Sequence, residues 1–285
     1  MTTTQQLSSA DMKAFEPEAK IGILATLDER EQPHISLITS LQAKTPTQLM
    51  WGQFIEGRSK NHVRADPRVA FVVMNAARQL WRGKARWTHE TAEGGDYERF
   101  NQMPMFRYNS YLGIHTVHYM DLVALDARTQ VSLPRVALGL AIAGFAAMTA
   151  APSTNEPVLT SWARGHLSKP TTLSFVAYRD DDGFPVLIPV VPCRAVDGRR
   201  LVFAPTVYRK ELLALRSGTT VAVFGLSLDM ESVLIRGTFT GYTGPLGAVV
   251  LGVGTIGIEW VYNSMPPLPG IVYPREPLRP VTDFS

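Results

Sequence analysis

The sequence predicts a mainly β protein with helical insertions, laid out as two tandem copies of one small barrel. Three observations carry that expectation. First, the apolar runs at 22–27, 48–53 and 69–75 are short, rich in β-branched and aromatic residues, and bounded by polar turns, as strands are. Second, the pattern recurs at an offset of 152, pairing Pro33 with Pro185, Leu49 with Leu201, Trp51 with Phe203, Val69 with Val221 and Ala70 with Ala222 without a gap. Before the hairpin turn the expected offset is 151, pairing 22–27 with 173–178. Later it is 154, pairing Arg82-Gly83 with Arg236-Gly237. Third, residues 48–74 read as strand, basic turn, short helix and strand.

The expected division is a first barrel at 1–125, a helical insert and linker at 126–168, and a second, diverged barrel with a proline-rich tail at 169–285. Each barrel is expected to hold six antiparallel strands, over 18–125 and 169–262. The first copy opens with a polar lead-in and a short helix over 9–15. Strands follow at 20–27 and 33–41, the second beginning at Pro33, a position a strand tolerates. After the strand at 48–53, a helix of two turns fits 59–65 and is stopped by Asp66-Pro67. The strand at 79–89 alternates, with Leu80, Arg82, Lys84 and Arg86 on one face and Trp81, Ala85 and Trp87 on the other. Such a basic face can line a binding groove. Residues 93–112 read as helix and loop, with Tyr97, Phe100 and Phe106 as core. A strand at 115–125 closes the copy.

In the insert, residues 136–151 are almost wholly apolar and rich in Ala and Gly. They fall short of the ~20 residues of a membrane span and predict a buried helix packed through small residues. Pro266, Pro267 and Pro269, then Pro274, Pro277 and Pro280, predict an extended tail along the surface.

Composition excludes several classes. The 285 residues are 45% hydrophobic and 19% charged, with a net charge of +3, as in a globular protein with a substantial core. That charge is too mild for a nucleic-acid partner. It is not evenly spread: residues 52–90 carry eight Lys or Arg against three acids, a local excess of +5. A small anionic ligand is the economical explanation. The single cysteine, Cys193, allows no intrachain disulfide and sits in an apolar run, where it reads as buried filler. Residues 1–10 lack the charged and apolar segments of a secretory signal, so the expected compartment is the cytoplasm and no membrane partner is expected.

The basic turn is the strongest functional signal. Gly57 opens a polar segment, Arg58-Ser59-Lys60-Asn61, at the start of the expected helix. Free N–H groups of a first helical turn, together with these side chains, suit a phosphate. The whole stretch resembles the pyridoxamine 5'-phosphate oxidase-like, FMN-binding split-barrel family. That family reads as apolar strand, Ser/Arg/Lys turn, short helix, Asn-Pro-x-Val and apolar strand. Here the last part is Asp66-Pro67-Arg68-Val69, and 22–27 with Pro33-His34-Ile35-Ser36 matches the opening hairpin. Measured back from Pro67, the usual Lys position falls on Ser59, and Lys60 stands one residue late.

The resemblance implies two tandem split β-barrels and FMN as cofactor. The FMN phosphate is expected on Arg58, Ser59, Lys60 and Asn61, with Arg82 and Lys84 as further candidates. Trp51 and Gln53, ending a strand beside the turn, are candidates to meet the flavin ring, and Trp51 reads equally well as core. In the family, two barrels from separate chains pair around FMN. Here one chain can supply both, while a homodimer stays open. In the second copy the turn becomes Arg209-Lys210-Glu211-Leu212-Leu213, which loses the Ser and Asn and gains an acid. Its site is expected to be degenerate.

Other chemistries are poorly supported. His115 and His118 on one strand face opposite sides, so no metal site is expected. No Ser-His-Asp order or Gly-x-Ser-x-Gly is present. Gly252-Val253-Gly254 lacks the third glycine of a dinucleotide loop. No acid or base is named. Two readings of function remain: an FMN-dependent oxidoreductase acting on a small-molecule substrate, and a non-catalytic binder of haem, deazaflavin or flavin on the same fold.

Overall fold

A computed structural model describes residues 3–16, 20–53, 57–104, 113–151, 153–244, 252–263 and 270–275. The strands of the first sheet are β1 (Thr3–Thr4), β2 (Lys20–Leu27), β3 (Pro33–Leu37), β4 (Gln42–Thr45), β5 (Gln48–Gln53), β6 (Arg68–Asn75), β7 (Gln79–Thr91), β8 (Thr116–Asp126) and β9 (Thr129–Gln130). Those of the second are β10 (Leu173–Arg179), β11 (Pro185–Ile188), β12 (Cys193–Ala195), β13 (Arg200–Phe203), β14 (Thr220–Leu226), β15 (Ser232–Thr243), β16 (Val253–Asn263) and β17 (Gly270–Tyr273). The helices are α1 (Ser9–Phe15), α2 (Arg58–Ala65), α3 (Gly95–Asn101), α4 (Leu133–Thr149), α5 (Ser161–Ser168) and α6 (Arg209–Leu213).

The tandem copies are visible in the topology itself. The first sheet runs β3-β2-β6-β7-β8-β5-β4 and the second β11-β10-β14-β15-β16-β13-β12, the same order strand for strand. Both sheets are antiparallel. Each path holds seven strands where six were expected. The seventh arises because the strand expected over 33–41 ends at Leu37. The Ser40 hydroxyl then donates to the Gly52 carbonyl (2.7 Å) and accepts from its N–H (3.1 Å), turning the chain onto β5 as β4.

The register also corrects the offsets. Leu27 faces Pro33 and Arg179 faces Pro185, so the hairpins are related by 152 and not by 151. The turns agree: Glu31 and Gly183 both take positive φ (56° and 82°), as do Arg78 and Met230 (62° and 65°). On the long strands the register shifts at Lys84/Ala85 and Trp87/His89 in the first copy and at Arg236/Gly237 and Phe239/Gly241 in the second. These bulges are again 152 apart, so the expected change to 154 does not occur. The Arg-Gly match was a coincidence of identity. The closing strand alone changes offset, with His118 of β8 opposite Trp51 and Gly254 of β16 opposite Phe203.

By contacts the chain divides into two compact units, one of Met1–Leu133, Phe175–Val190 and Thr220–Ala222, the other of Pro134–Ser174, Val191–Thr219 and Val223–Ser285. The core of the first is built from inward residues of its strands, among them Leu24, Leu49, Trp51, Val69, Phe71, Val73, Trp81 and Met120, with Val63 of α2 entering from the end. Each such side chain contributes roughly 1.5–3 kcal/mol on burial. α1 is held by its N-cap, the Ser8 hydroxyl accepting from the Asp11 N–H, and it sets Phe15 edge-on to Trp81. Outside this sheet, α3 covers Met50, Val117 and Tyr119 with Phe100, as the expected core role of Tyr97 and Phe100 requires. Phe106 lies outside the described residues.

In the second unit, α4 differs from its expectation. It was expected to be buried, but only Gly139 and Ala143 are, while Leu133, Leu138, Phe145 and Met148 are exposed. Its small residues explain the seat: a Cβ on Gly139 would overlap Pro192 and Thr206. Cys193 is buried, and burial pushes its thiol up to about 12, so it is an inert filler. Among the described residues, no helix is long and apolar enough to cross a membrane. Of the proline-rich tail, 264–269 and 276–285 lie outside the described residues, and Gly270–Tyr273 forms β17 against β16.

Candidate functional site

The site candidates of the basic turn collect at the start of α2. Gly57 is its N-cap, with extended backbone and no side-chain cap, so the first-turn N–H groups receive no side-chain partner from the cap residue. Arg58 is exposed, Ser59 and Lys60 are buried, and Asn61 is exposed. Asn61 is within reach of Arg64, whose Nη1 donates to its Oδ1 at 3.4 Å. Residues 54–56, which lead into the turn, lie outside the described residues.

The two strand-end candidates go inward. Trp51 and Gln53 are buried. Trp51 lies flat against His118, ring centroids 3.9 Å apart and 5° between planes. The His118 ring is fixed at both nitrogens. The Trp87 indole donates to Nδ1 at 3.2 Å, and an indole N–H can only donate, so Nδ1 is the acceptor. The proton then sits on Nε2, which donates to Gln53 Oε1 at 2.8 Å. Burial holds this imidazole down to about 4, against the raising effect of Glu90 and with further lowering from the Arg64 and Lys60 cations. His118 is therefore neutral at pH 7, and Glu90, 3.3 Å from Nδ1, is not its ion-pair partner. Glu90 is instead held by Arg64 through paired bonds of 3.2 and 2.7 Å, which keep its carboxyl below its usual range. The Trp51 Nε1–H is buried and has no hydrogen-bond acceptor among the described residues. Such an orphan donor carries a desolvation penalty that a ligand's acceptor can relieve.

Arg82 and Lys84 stand apart from this cluster. Arg82 Nε meets Asp126 at 2.7 Å. Lys84 meets Asp180 at 3.2 Å and Asp182 at 2.5 Å within the first unit. Arg82 and Lys84 are thus answered by carboxylates, while Arg86 lies over the Phe184 ring at 5.5 Å. A cleft at the far end of α2, about 400 Å³, is lined by Asp28, Glu29, Glu31 and Asp66 against Arg68 and Arg86, and its net sign does not favour an anion. His115, just before β8, is exposed, and His118 on β8 is buried, so the strand expected from 115 begins one residue later.

Sequence reasoning missed His118, Trp87, Glu90 and Arg64 as parts of the site. The signal was available in the repeat. At the matching positions the second copy has Phe203 for Trp51, Pro205 for Gln53, Phe239 for Trp87, Tyr242 for Glu90 and Gly254 for His118. Gln53, Trp87, Glu90 and His118 are thus exchanged or removed, while Arg64 keeps its type as Arg216 and the surrounding core keeps its apolar character.

No family model matches the sequence, and no curated protein matches it. Solved structures do. A candidate pyridoxamine 5'-phosphate oxidase from Lactobacillus delbrueckii aligns with 16% identity and a TM-score of 0.36, over 45% of this chain and 100% of that one. An FMN-binding protein from Syntrophomonas wolfei aligns with 12% identity and a TM-score of 0.35, over 42% of this chain and 84% of that one. An F420 reductase aligns with 13% identity and a TM-score of 0.34, over 43% of this chain and 98% of that one. Each alignment takes in less than half of the chain. The architecture is two antiparallel sheets of identical strand order in tandem.

Proposed function

We propose that the chain is an FMN-binding flavoprotein oxidoreductase acting on a small molecule, with the FMN phosphate at the start of α2 in the first copy. The observation that carries this reading is the asymmetry between copies. Only the first combines an uncapped helix start, the cations Arg58 and Lys60, the Ser59 hydroxyl, and a buried indole donor at Trp51 without an acceptor among the described residues. These residues fit an anionic ligand that also brings hydrogen-bond acceptors, as FMN does.

In this reading Arg58 and Lys60 bind the phosphate with charge-assisted hydrogen bonds, and the first-turn N–H groups of α2 complete its shell. Arg82 and Lys84, already met by Asp126, Asp180 and Asp182, set the field around the site and do not hold the phosphate. His118, neutral and locked in its Nε2–H form, orients Gln53 and backs the Trp51 ring. Bound FMN supplies the redox chemistry, while the protein positions the substrate and excludes water. No side chain is assigned as acid or base.

The test is the absorbance of the purified protein and its titration with FMN. Flavin bands, or stoichiometric FMN binding by the apoprotein, support the reading. A Soret band would assign haem, deazaflavin absorbance would assign that cofactor, and colourless protein that refuses FMN would mean a non-catalytic scaffold.

A further inference from the structure

The outer face of each sheet is covered differently in the two copies, and the difference leaves a cavity. In the first copy Met50, Val117 and Tyr119 are sealed by Phe100 of α3. Tyr119 also donates to Asp96 at 2.9 Å, and Lys44 pairs with Asp96 at 2.8 Å, which ties the helix down. By register the same three strand positions in the second copy are Val202, Val253 and Thr255. Two of them have lost bulk. The covering helix is now α4, which lines the space with Ala141, Ile142, Phe145 and Ala146. Gly139 and Ala143 seat α4, and Ile142, Ala146 and Ala147 pack beside Val202 and Val253, while Phe145 and Met148 stay exposed.

What remains is a cavity of about 770 Å³, within the size range of small-molecule sites. Its walls are hydrocarbon: Ile142, Phe145 and Ala146 from the helix, and Val196, Val202 and Val253 from the strands. The polar groups at its edge are hydroxyls, from Thr149, Thr240, Thr243 and Thr255. Among the described lining residues the one charged group is Arg200, which is answered by Asp197 through bonds of 2.9 and 2.6 Å. The wall therefore offers no uncompensated charge to an ionic ligand. Phe145 lines the cavity yet is 68% exposed, so an occupant would cover its ring.

We propose that the cavity between α4 and the outer face of the second sheet is a binding site for a neutral, largely hydrocarbon small molecule. The ligand takes the place that Phe100 holds in the first copy, and a threonine hydroxyl fixes its one polar group. This site is separate from the α2 turn and does not depend on flavin binding.

The probe is N-phenyl-1-naphthylamine, a neutral aromatic whose fluorescence rises in apolar cavities. The wild-type chain is expected to bind it saturably. Val202→Met with Thr255→Tyr restores the first-copy bulk on the strand side, and Ala146→Phe fills the same space from the helix. Each is expected to weaken the probe about tenfold or more while circular dichroism stays unchanged. Leu138→Ser with Met148→Ser removes exposed apolar surface of α4 outside the cavity and is expected to leave binding unchanged. If the strand variant fails to fold, Ala146→Phe decides the matter alone. Absence of saturable binding in the wild type, survival of binding in a folded cavity-filled variant, or its loss in the helix-surface variant overturns the proposal.

Discussion

Where the first copy lays Trp51 on His118, the second sets Phe203 against Gly254 at the same register. Phe203 then packs with Phe239 and Tyr242, centroids 5.9 Å from each, and a Cβ at Gly254 would overlap the Phe203 ring. Tyr242 occupies the position of Glu90, and its hydroxyl donates to the carbonyl of Leu212, the counterpart of Lys60. One backbone thus supports two interiors. The first is a polar network built around a neutral imidazole. The second is an aromatic cluster that closes the same space. A fold needs volume filled at that end of the barrel, and aromatic packing does so without desolvating polar groups. The polar version is the more costly solution, and it is present in one copy alone.

The comparison can be broken by removing either centre. Trp51→Ala is expected to destabilise the protein by about 3–5 kcal/mol, because it opens a cavity in the core and strips the stack from His118. Phe203→Ala is expected to fall in the same range. Denaturant unfolding of both variants reads the two values. A cost under about 1 kcal/mol for Trp51→Ala would show that its ring is not the packing centre of the first copy.

The next effect belongs to His118 alone. Its pKa in the fold is about 4, against 6.5 for the free side chain. Below pH 6.5 the unfolded chain takes up a proton that the fold refuses, so stability is full above 6.5 and falls as pH drops towards 4. The loss is on the order of 3 kcal/mol over that window. Glu90 and Asp96 have lowered pKa values and act in the same direction, but only below the ordinary carboxylate range. His118→Gln should flatten stability between pH 6.5 and 4. An unchanged slope in that variant would remove the neutral imidazole from the account.

Smaller effects sharpen the contrast. Gly254→Ala is expected to cost about 1–3 kcal/mol, since the added methyl must push the Phe203 ring. Asp182→Ala, which removes a half-exposed partner of Lys84, is expected to cost under about 1 kcal/mol because solvent screens that pair. Thermal melts of the two variants check their order.

Much of the fold was legible in the sequence, for identifiable reasons. Strands announce themselves by short apolar runs, and Pro33 and Pro185 mark the same hairpin position in both copies. The basic turn was legible because Gly57 and Pro67 bracket it. The break between Leu37 and Gln42 was hidden, because it rests on a Ser40 hydrogen bond to a backbone twelve residues away. The exposure of α4 was hidden because an apolar sequence does not say how wide a surface it will find. The His118 network was hidden for a different reason. Its members lie on β5, β7, β8 and α2, and only the register brings them together. The inward placement of Trp51 and Gln53 follows from the same pairing.

The central claim is that the first copy, and not the second, carries the FMN phosphate. It is tested most directly by titrating FMN and riboflavin into two paired variants. Each charge-assisted bond to phosphate contributes on the order of 1.5–3 kcal/mol. Arg58→Ala with Lys60→Ala should therefore weaken FMN binding by roughly two orders of magnitude or more, at ~1.4 kcal/mol per tenfold. Riboflavin, which lacks the phosphate, should bind this variant as it binds the wild type. Arg209→Ala with Lys210→Ala should change neither affinity. Wild-type FMN affinity in the first variant, or its loss in the second, would contradict the account.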